Sequence, residues 1–450
     1  MADPTDTDAA PAGTDAPPSP EGGADLARRR FFREFAGEIA TTAATVMGAA
    51  QALQRTSSEL AGAILDPVRL ETGAAPVSPA APAPSDPTPV FRTAFHLDGA
   101  TIRFVDQRTL PRALTEYTAS SAAEVTYAIR NGTLLGGPAA GQAAALGMAL
   151  TAARVHATKP YARRATFRGA ANAMRNAAPA NGSVDAAMAR IMAAYAAVGE
   201  LSEDGDAIAA AMRAEADAIV AEAVADHGAL VEAGVAHVAS LQHTPETPLR
   251  VLVHGPGGTL AGGQFGTALT IAITAHQREI PVRVVVPEGR PRFVGSRVSC
   301  WELAAAGVPH LLVADFAAPA LIAAGEVDVV LIPADRVAAN GDIAAATGTY
   351  ALALAAARRG IPVIACVAAS VLDPQAPDGG AISTGYLDAE ELDRIEKIAL
   401  APAGTETRVP THDSTPAELI TTWLTAAGAR VPPFAAATTA VDAAAAGDAA

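Results

Sequence analysis

The chain has 450 residues and a mass of 45.2 kDa, which exceeds one ordinary domain and fits two domains with tails. Half of its residues are apolar and 18% are charged, so a chain that is disordered throughout is excluded. A net charge of −15 argues against a nucleic-acid surface, and two cysteines are too few for a disulfide framework, so we expect a soluble, cytoplasmic protein without a metal site.

Composition divides the first ninety residues into three segments. Residues 1–24 hold little to bury and are predicted to be a disordered acidic tail. Residues 25–65 carry large apolar side chains at three- and four-residue steps, which predicts an amphipathic helix, and residues 66–90 hold seven prolines and form a linker. The arginine-rich start of the helix resembles a twin-arginine export signal, but glutamates interrupt the apolar core that export needs. We therefore expect this helix to dock on a partner, on the protein's own body or on a membrane surface.

A mainly helical domain is predicted for residues 91–247. Residues 95–105 have the pattern of a hairpin, with Asp98 and Gly99 at its turn. Residues 120–242 have a helical pattern almost throughout, which glycine and proline interrupt near residues 136–138, 160 and 179–182.

After residue 248 short β-branched runs alternate with helical patterns. The predicted strands are residues 250–254, 282–286, 310–313, 327–332 and 362–367. The predicted helices are residues 261–276, 299–306, 319–324 and 343–359. This alternation is typical of an α/β fold, a parallel sheet covered on both faces. We predict a Rossmann-like, doubly wound parallel-sheet domain over 248–431, followed by an alanine-rich tail over 432–450.

Ligands of such sheets bind beyond the carboxyl ends of the strands, so the residues after each strand are the first candidates for a site. The first strand is followed by His254, Gly255, Gly257 and Gly258 ahead of a helix. A glycine-rich loop in this place can bring backbone N–H groups to a phosphate, and it can equally be a tight structural turn. Its spacing matches neither the dinucleotide-binding fingerprint nor a P-loop.

Charged residues follow two other strands. Asp335 comes directly after an apolar strand, where its carboxylate would meet the ligand; alternatively it caps a helix or pairs with Arg336. Asp342 fits the cap position better, because a helical pattern begins behind it. Arg290 and Arg292 also follow a strand, where they hold an anion or are solvated.

Ten motifs occur in one order over roughly residues 90–400. They are 105–111 (VDQRTLP), 123–131, 136–141 (GGPAAG), 226–228 (DHG), 265–269 (FGTAL), 288–291 (EGRP), 295–297 (GSR), 301–303 (WEL), 334–342 (ADRVAANGD) and 348–350 (GTY). In these motifs the chain resembles the family of methylthioribose-1-phosphate isomerase, ribose-1,5-bisphosphate isomerase and the alpha, beta and delta subunits of translation initiation factor 2B.

The resemblance implies an aldose–ketose isomerisation of a pentose 1-phosphate that uses no metal or organic cofactor. In the family a loop cysteine and an aspartate are thought to share the proton or hydride movement, and the aspartate corresponds to Asp335. An arginine–glycine motif holds the phosphate; here its glycine region is Gly136 and Gly137. A second phosphate-binding arginine corresponds best to Arg164, and we add Asn340 of the aspartate motif to the expected ligand-binding residues.

Several positions depart from the family pattern. The loop cysteine falls on Gly255 and the asparagine after it on Pro256; the arginine of the arginine–glycine motif falls on Leu135. A substrate-contacting glutamine falls on Val294, and an asparagine–lysine pair falls on residues 345–346. Loss of one arginine–phosphate contact costs about 1.5–3 kcal/mol, and loss of an acid–base partner removes about 10²–10⁴ in rate.

Two side chains could replace the missing thiol. Cys366 ends a predicted strand, so it faces the ligand crevice or packs in the core. His254 directly precedes the lost position, so it acts as an acid or base or caps the loop. Cys300 lies in or before a helix and is expected to pack.

Three functions remain open on these residues. The first is a divergent sugar-phosphate isomerase that uses Asp335. The second is a non-catalytic regulatory protein that binds a phosphosugar or a nucleotide, and the third is an assembly scaffold with a vestigial site. Because the family commonly pairs through its Rossmann-like domain, we expect a homodimer, with the 25–65 helix free to contact a second partner.

Overall fold

The computed structural model describes residues 93–434 except Gln242 and Glu396. The predictions for the acidic tail, the 25–65 helix and the linker lie outside these residues, as does most of the alanine-rich tail. No helix within the described part of the chain is long and apolar enough to cross a membrane.

A three-stranded antiparallel sheet comes first. β1 (Phe95–Asp98) pairs with β2 (Thr101–Val105), and β2 pairs with β3 (Glu116–Ala119). The predicted hairpin is confirmed, and its turn uses Gly99 at a φ of 59°, a left-handed conformation that glycine adopts without strain.

Five helices follow, divided at the predicted breaks and at one further break between the fourth and fifth. They are α1 (Ala122–Arg130), α2 (Gly137–Val155), α3 (Pro160–Ala177), α4 (Gly182–Val198) and α5 (Gly205–Ser240). α2 is apolar on almost every side and is buried over most of its length, packed against α4 and α5. Its many alanines and glycines allow this close packing.

The rest of the described chain combines strands with shorter helices. In order they are β4 (Leu249–Val253), α6 (Thr259–Gly262), α7 (Ala268–Gln277), β5 (Val282–Pro287), α8 (Cys300–Ala305), β6 (His310–Val313), α9 (Ala318–Ala324), β7 (Val329–Pro333), β8 (Arg336–Ala338), β9 (Ile343–Ala346), α10 (Thr349–Arg359), β10 (Val363–Cys366), β11 (Leu372–Asp373), α11 (Glu390–Asp393), β12 (Arg394–Ile395), β13 (Ile398–Ala399), β14 (His412–Thr415), β15 (Thr422–Thr425) and β16 (Gly428–Arg430).

The main sheet has the strand order β16-β15-β10-β7-β4-β5-β6. Every neighbouring pair is parallel except β15 and β16, so the predicted parallel sheet is confirmed. The two strands at the β16 end were not predicted. The carboxyl ends of the neighbouring strands β5, β4, β7 and β10 lie at one edge of this sheet.

The helix predicted over 343–359 is wrong in its first third. Residues Ile343–Ala346 form β9, which pairs with β8 and β14 in a small second sheet, so tertiary pairing overrides the helix propensity of its alanines. Asp342 is therefore not a helix cap: its carboxylate accepts the N–H groups of Gly379 and Ala417 at 3.0 and 2.8 Å. Burial alone would raise the pKa of Asp342, but these bonds and one with Asn340 hold it below its usual value.

Candidate active site

A cleft of about 800 Å³ opens at the carboxyl edge of the main sheet. Its walls come from the segments that follow β4, β5 and β7, from the start of α2, and from the segment before β14. The sequence-predicted residues that line it are Gly136, Gly137, His254, Gly255, Arg290 and Asp335. The volume lies within the range of small-molecule binding sites.

Asp335 lies where the strand pattern predicted a ligand-facing carboxylate. It follows β7 and is 8% exposed. Its backbone is held on both sides, because its N–H donates to Ala344 O and its carbonyl accepts from Gly182 N, each at 2.9 Å. A carboxylate on so fixed a backbone has a defined place in the cleft.

Two helices begin beside Asp335. A Cβ atom on Gly137, the first residue of α2, would lie 2.5 Å from Asp335 Oδ1, so only glycine lets the helix approach so closely. α4 begins at Gly182, whose N–H is bonded to the Asp335 backbone. The positive end of the α2 dipole therefore lies at the Asp335 carboxylate, and that of α4 lies at the Asp335 carbonyl.

The alternative roles for Asp335 are excluded by its neighbours. Strand β8 follows it, so it caps no helix. Arg336 is bonded to the carboxylates of Asp185 and Asp373, the latter at 3.2 Å. The arginine thus ties β8 to α4 and β11, and leaves Asp335 to the cleft.

His412 is the neighbour of Asp335 that the sequence reasoning missed. Its Nε2 lies 3.2 Å from Asp335 Oδ2, although 77 residues separate the two in the chain. His412 begins β14 and, like Thr411 before it, lines the cleft. The only signal in the sequence is a polar His-Asp pair at the start of a short strand that we did not predict.

The loop after β4 brings His254 and Gly255 to the cleft. His254 is buried, and its Nε2 lies 3.1 Å from Thr347 O. Since a carbonyl only accepts, this nitrogen carries the hydrogen. Gly255 has a φ of 90°, and a Cβ atom there would lie 3.2 Å from the Ala346 side chain. The position favours glycine over any residue with a side chain.

Gly257 and Gly258 do not line the cleft; they stabilise the conformation of the loop after β4. The carbonyl of Gly257 accepts the N–H groups of Thr267 and Leu269 at the start of α7. Where α6 begins, the buried Glu302 carboxylate accepts from Thr259 Oγ1 at 2.8 Å and from Leu260 N at 3.1 Å. The acceptor at this helix start is thus a carboxyl group of the protein itself, and burial raises the pKa of Glu302.

Three arginines supply positive charge at the cleft: Arg130, Arg290 and Arg292. Arg290 donates to Leu392 O at 3.0 Å and stacks over Phe293. Arg292 is paired with Glu391 at 2.8 Å. These arginines can attract an anion, with two of them already oriented by protein partners.

Arg164 and Asn340 lie outside the cleft lining, which corrects their predicted place. Arg164 is on α3 and stacks over Tyr161, one turn from the helix start. The segment that lines the cleft ahead of α4 holds Ala178 and Pro179, and Arg164 is not part of it. Asn340 turns back to accept the N–H of Asp342 at 3.0 Å.

Neither cysteine lines the cleft. Cys366 is buried in the apolar core beneath the main sheet, and burial raises the pKa of its thiol well above the usual value. Cys300 is half-buried at the start of α8, where burial raises its pKa to about 11. Within the described residues, no group of three or more His, Cys, Asp or Glu side chains could hold a metal ion.

Comparisons with known proteins identify the chains that this one is similar to. A family model described as the initiation factor 2 subunit family matches residues 134–432. The chain is 35% identical over 336 residues to a methylthioribose-1-phosphate isomerase from Synechococcus, with 75% of this chain and 94% of that protein covered. It is similar to the crystal structure of 5-methylthioribose 1-phosphate isomerase from Pyrococcus horikoshii, with a TM-score of 0.66 and 28% identity over 78% and 96% of the two chains. It is also similar to the crystal structure of the delta subunit of translation initiation factor eIF-2B from A. fulgidus, with a TM-score of 0.61 and 25% identity. That match covers 78% of this chain and 98% of the other.

Proposed function

The chain belongs to the initiation factor 2 subunit family, and from that premise we propose that it is a divergent sugar-phosphate aldose–ketose isomerase that acts at Asp335. The observation that carries the proposal is the Asp335 carboxylate itself, nearly buried and fixed at both backbone atoms beside a cleft of metabolite size. The named isomerase relatives, at about a third identity over nearly their whole length, support the reaction class.

An aldose–ketose isomerisation requires groups that move protons between neighbouring sugar carbons and oxygens. Asp335 is the side chain we assign to that task, because a carboxylate held in one place can exchange a proton with a bound sugar hydroxyl or ring oxygen. The ligand-binding set we propose is Gly136, Gly137, His254, Gly255 and Arg290, with Arg130 and Arg292 as further anion-attracting groups.

The domain division and assembly are part of the same proposal. Residues 91–247 would form the mainly helical part and residues 248–431 the Rossmann-like, doubly wound part, with the ligand at their junction. We propose a homodimer because the family commonly pairs through its Rossmann-like domain. The oligomeric state of a shortened chain that begins at residue 91 tests whether the N-terminal segments contribute to that dimer.

The test is a carbon-13 NMR time course of the purified protein with methylthioribose 1-phosphate and ribose 1,5-bisphosphate. We expect a ketone carbon to grow with the wild type and to be absent with Asp335→Asn. Asp388→Asn is the charge-matched control, since it removes one carboxylate from the same cleft at an exposed position. Equal ketone formation by wild type and Asp335→Asn contradicts the assignment of Asp335.

A second function, binding of a phosphosugar or nucleotide without turnover, is favoured by one observation. No thiol lines the described cleft, and the loop after β4 presents Gly255 where the resemblance implies a cysteine. Calorimetric binding of a pentose phosphate or a nucleotide monophosphate, with no ketone from either isomerase substrate, would support this regulatory function.

A further inference from the structure

Both ring nitrogens of His412 have partners, and all the side chains concerned line the cleft. Nε2 lies 3.2 Å from Asp335 Oδ2, and Nδ1 lies 2.7 Å from Thr411 Oγ1. The side chains of His412 and Asp335 are 21% and 12% exposed, so the contact is largely shielded from water. A chain of hydrogen bonds therefore runs from the Asp335 carboxylate, through the His412 imidazole, to the Thr411 hydroxyl.

A hydrogen must lie between the ring and the carboxylate. A bare ring nitrogen and an ionised carboxylate oxygen both only accept, so they make a favourable contact at 3.2 Å only with a proton between them. With the Asp335 carboxylate ionised, the neutral ring has its one N–H at Nε2, and the charged ring keeps that hydrogen and adds a second at Nδ1. Any change in the charge of the ring then takes place at Nδ1.

The Thr411 hydroxyl has partners for both states of Nδ1. It lies 2.7 Å from Nδ1 and 3.2 Å from Gly385 O. With Nδ1 bare, the hydroxyl donates to the ring. With Nδ1 protonated, it accepts from the ring and donates to Gly385 O instead. A rotation about one bond keeps the ring hydrogen-bonded in either charge state.

We propose that His412 is a positioning residue that gains and loses a proton at Nδ1 and thereby sets the charge that Asp335 presents to an anionic ligand. With the ring charged, the pair is neutral overall and a phosphorylated sugar meets no net negative charge at Asp335. With the ring neutral, the carboxylate keeps its full charge. This inference deepens the proposed isomerase function and rests on it for its substrate, but its proton chemistry is a property of the protein alone.

Other charged groups face the His412 ring, and they contribute to the pH dependence of its charge. Those on elements around it are Asp413 beside it on β14, His254 after β4, Arg290 and Arg292 after β5, Arg130 at the end of α1, and Asp388 and Glu391 across the cleft. Asp413 accepts the N–H groups of Gly348 and Tyr350 at the start of α10, and burial raises its pKa.

The direct test is nitrogen-15 NMR of the full chain with labelled histidine, titrated from about pH 4 to pH 9. Nine histidines contribute, and the spectrum of His412→Gln assigns the ring. We expect Nε2 to stay protonated throughout and Nδ1 to change from bare to protonated as the pH falls. A neutral ring with its hydrogen on Nδ1, or a ring that keeps one charge over the whole range, overturns the proposal.

Two variants separate this role from simple packing. Thr411→Val removes the partner of Nδ1 in both charge states. The protonated state loses the stronger, charge-assisted bond, so we expect the ring to charge only at lower pH. Thr405→Val is the control, because the Thr405 hydroxyl bonds Pro402 O at an exposed site, and it should leave the His412 titration curve unchanged. Asp335→Ala frees Nε2, so the neutral ring should spread its hydrogen over both nitrogens. Curves that superimpose on the wild type in both variants contradict the coupling.

Turnover supplies an independent readout. If the wild type forms ketone, we expect His412→Gln to lower kcat by about 10²-fold or more and to alter the pH profile, with His310→Gln on the edge strand as control. An unchanged rate and pH profile overturn the role of His412 and leave the isomerase function standing. A wild type without turnover removes the proposed function, while the NMR titration still decides the protonation of His412.

Discussion

Two loops leave the same edge of the main sheet on neighbouring strands, and they differ in where their polar groups point. The loop after β4 directs its hydrogen bonds inward: Leu260 and Thr259 to Glu302, and His254 to Thr347. The loop after β7 directs a carboxylate outward, where Asp335 meets His412 at the cleft. Equal position at a sheet edge therefore does not give equal chemistry.

The two sides of the cleft differ in what their loops contribute. The glycines after β4 keep the shape of the loop without presenting an acid or base, while the β7 side holds a carboxylate, an imidazole and two helix starts. Proton chemistry in this chain is thus expected to depend on the β7 side, while the β4 side contributes ligand contacts and stability. Each side can be altered separately.

The largest effect is expected for Gly137→Ala on the β7 side. The added methyl group would lie 2.5 Å from Asp335 Oδ1, so the carboxylate or the start of α2 must move. We expect turnover to fall by about 10²-fold, because small displacements of a reacting group have that effect, and stability to fall by about 1–3 kcal/mol. The rate of ketone formation measures the turnover, and urea unfolding measures the stability.

Gly169→Ala is the matched control for that variant. Gly169 also lies inside a helix, but a Cβ atom there meets nothing within 4 Å. It should gain about 0.4–1 kcal/mol in stability, with turnover unchanged. Equal activity in the two alanine variants would show that Asp335 does not need its present place.

On the β4 side, Glu302→Ala should act on stability first. It leaves the Leu260 N–H buried without an acceptor, which costs about 1–3 kcal/mol. Because burial raises the pKa of Glu302, the folded state keeps a proton that the unfolded chain has already released. Wild-type stability should therefore fall as the pH rises above the ordinary glutamate pKa, and Glu302→Gln, which cannot ionise, should lack that fall. Urea unfolding at a series of pH values measures both; parallel pH curves would exclude Glu302 as the cause.

A smaller effect on the same side is expected for Gly255→Ala. Its backbone has a φ of 90°, where a side chain costs about 1–2 kcal/mol, and the new methyl group would press on Ala346. Gly99→Ala isolates the backbone part, since Gly99 also has a positive φ but open space around it. The unfolding free energies of the two variants separate the backbone strain from the crowding against Ala346. A smaller loss of stability in Gly255→Ala than in Gly99→Ala would contradict the crowding. Gly255→Cys should carry the same backbone penalty.

Local pattern predicted much of this arrangement, and contacts between distant segments account for what it missed. Asp335 was found because a short apolar strand ends just before it, which needs no knowledge of other segments. His412 was missed because its contact with Asp335 spans 77 residues and its own strand is short and polar. Residues 343–346 look helical alone and become a strand through pairing with β8 and β14. Arg164 was placed by motif likeness, which fixes no position in space.

The smallest effect is expected for the two thiols, and it tests whether any sulfur takes part. Cys366 is buried and Cys300 is half-buried, and burial raises the pKa of both, so little thiolate exists at neutral pH. We expect Ellman's reagent to react slowly or not at all with the native protein, to count two thiols after unfolding, and to leave ketone formation unchanged. Rapid labelling with loss of turnover would return the chemistry to a cysteine and undo the contrast between the loops. Slow labelling with intact turnover would mean that the β7 side works without sulfur, since neither thiol lines the cleft.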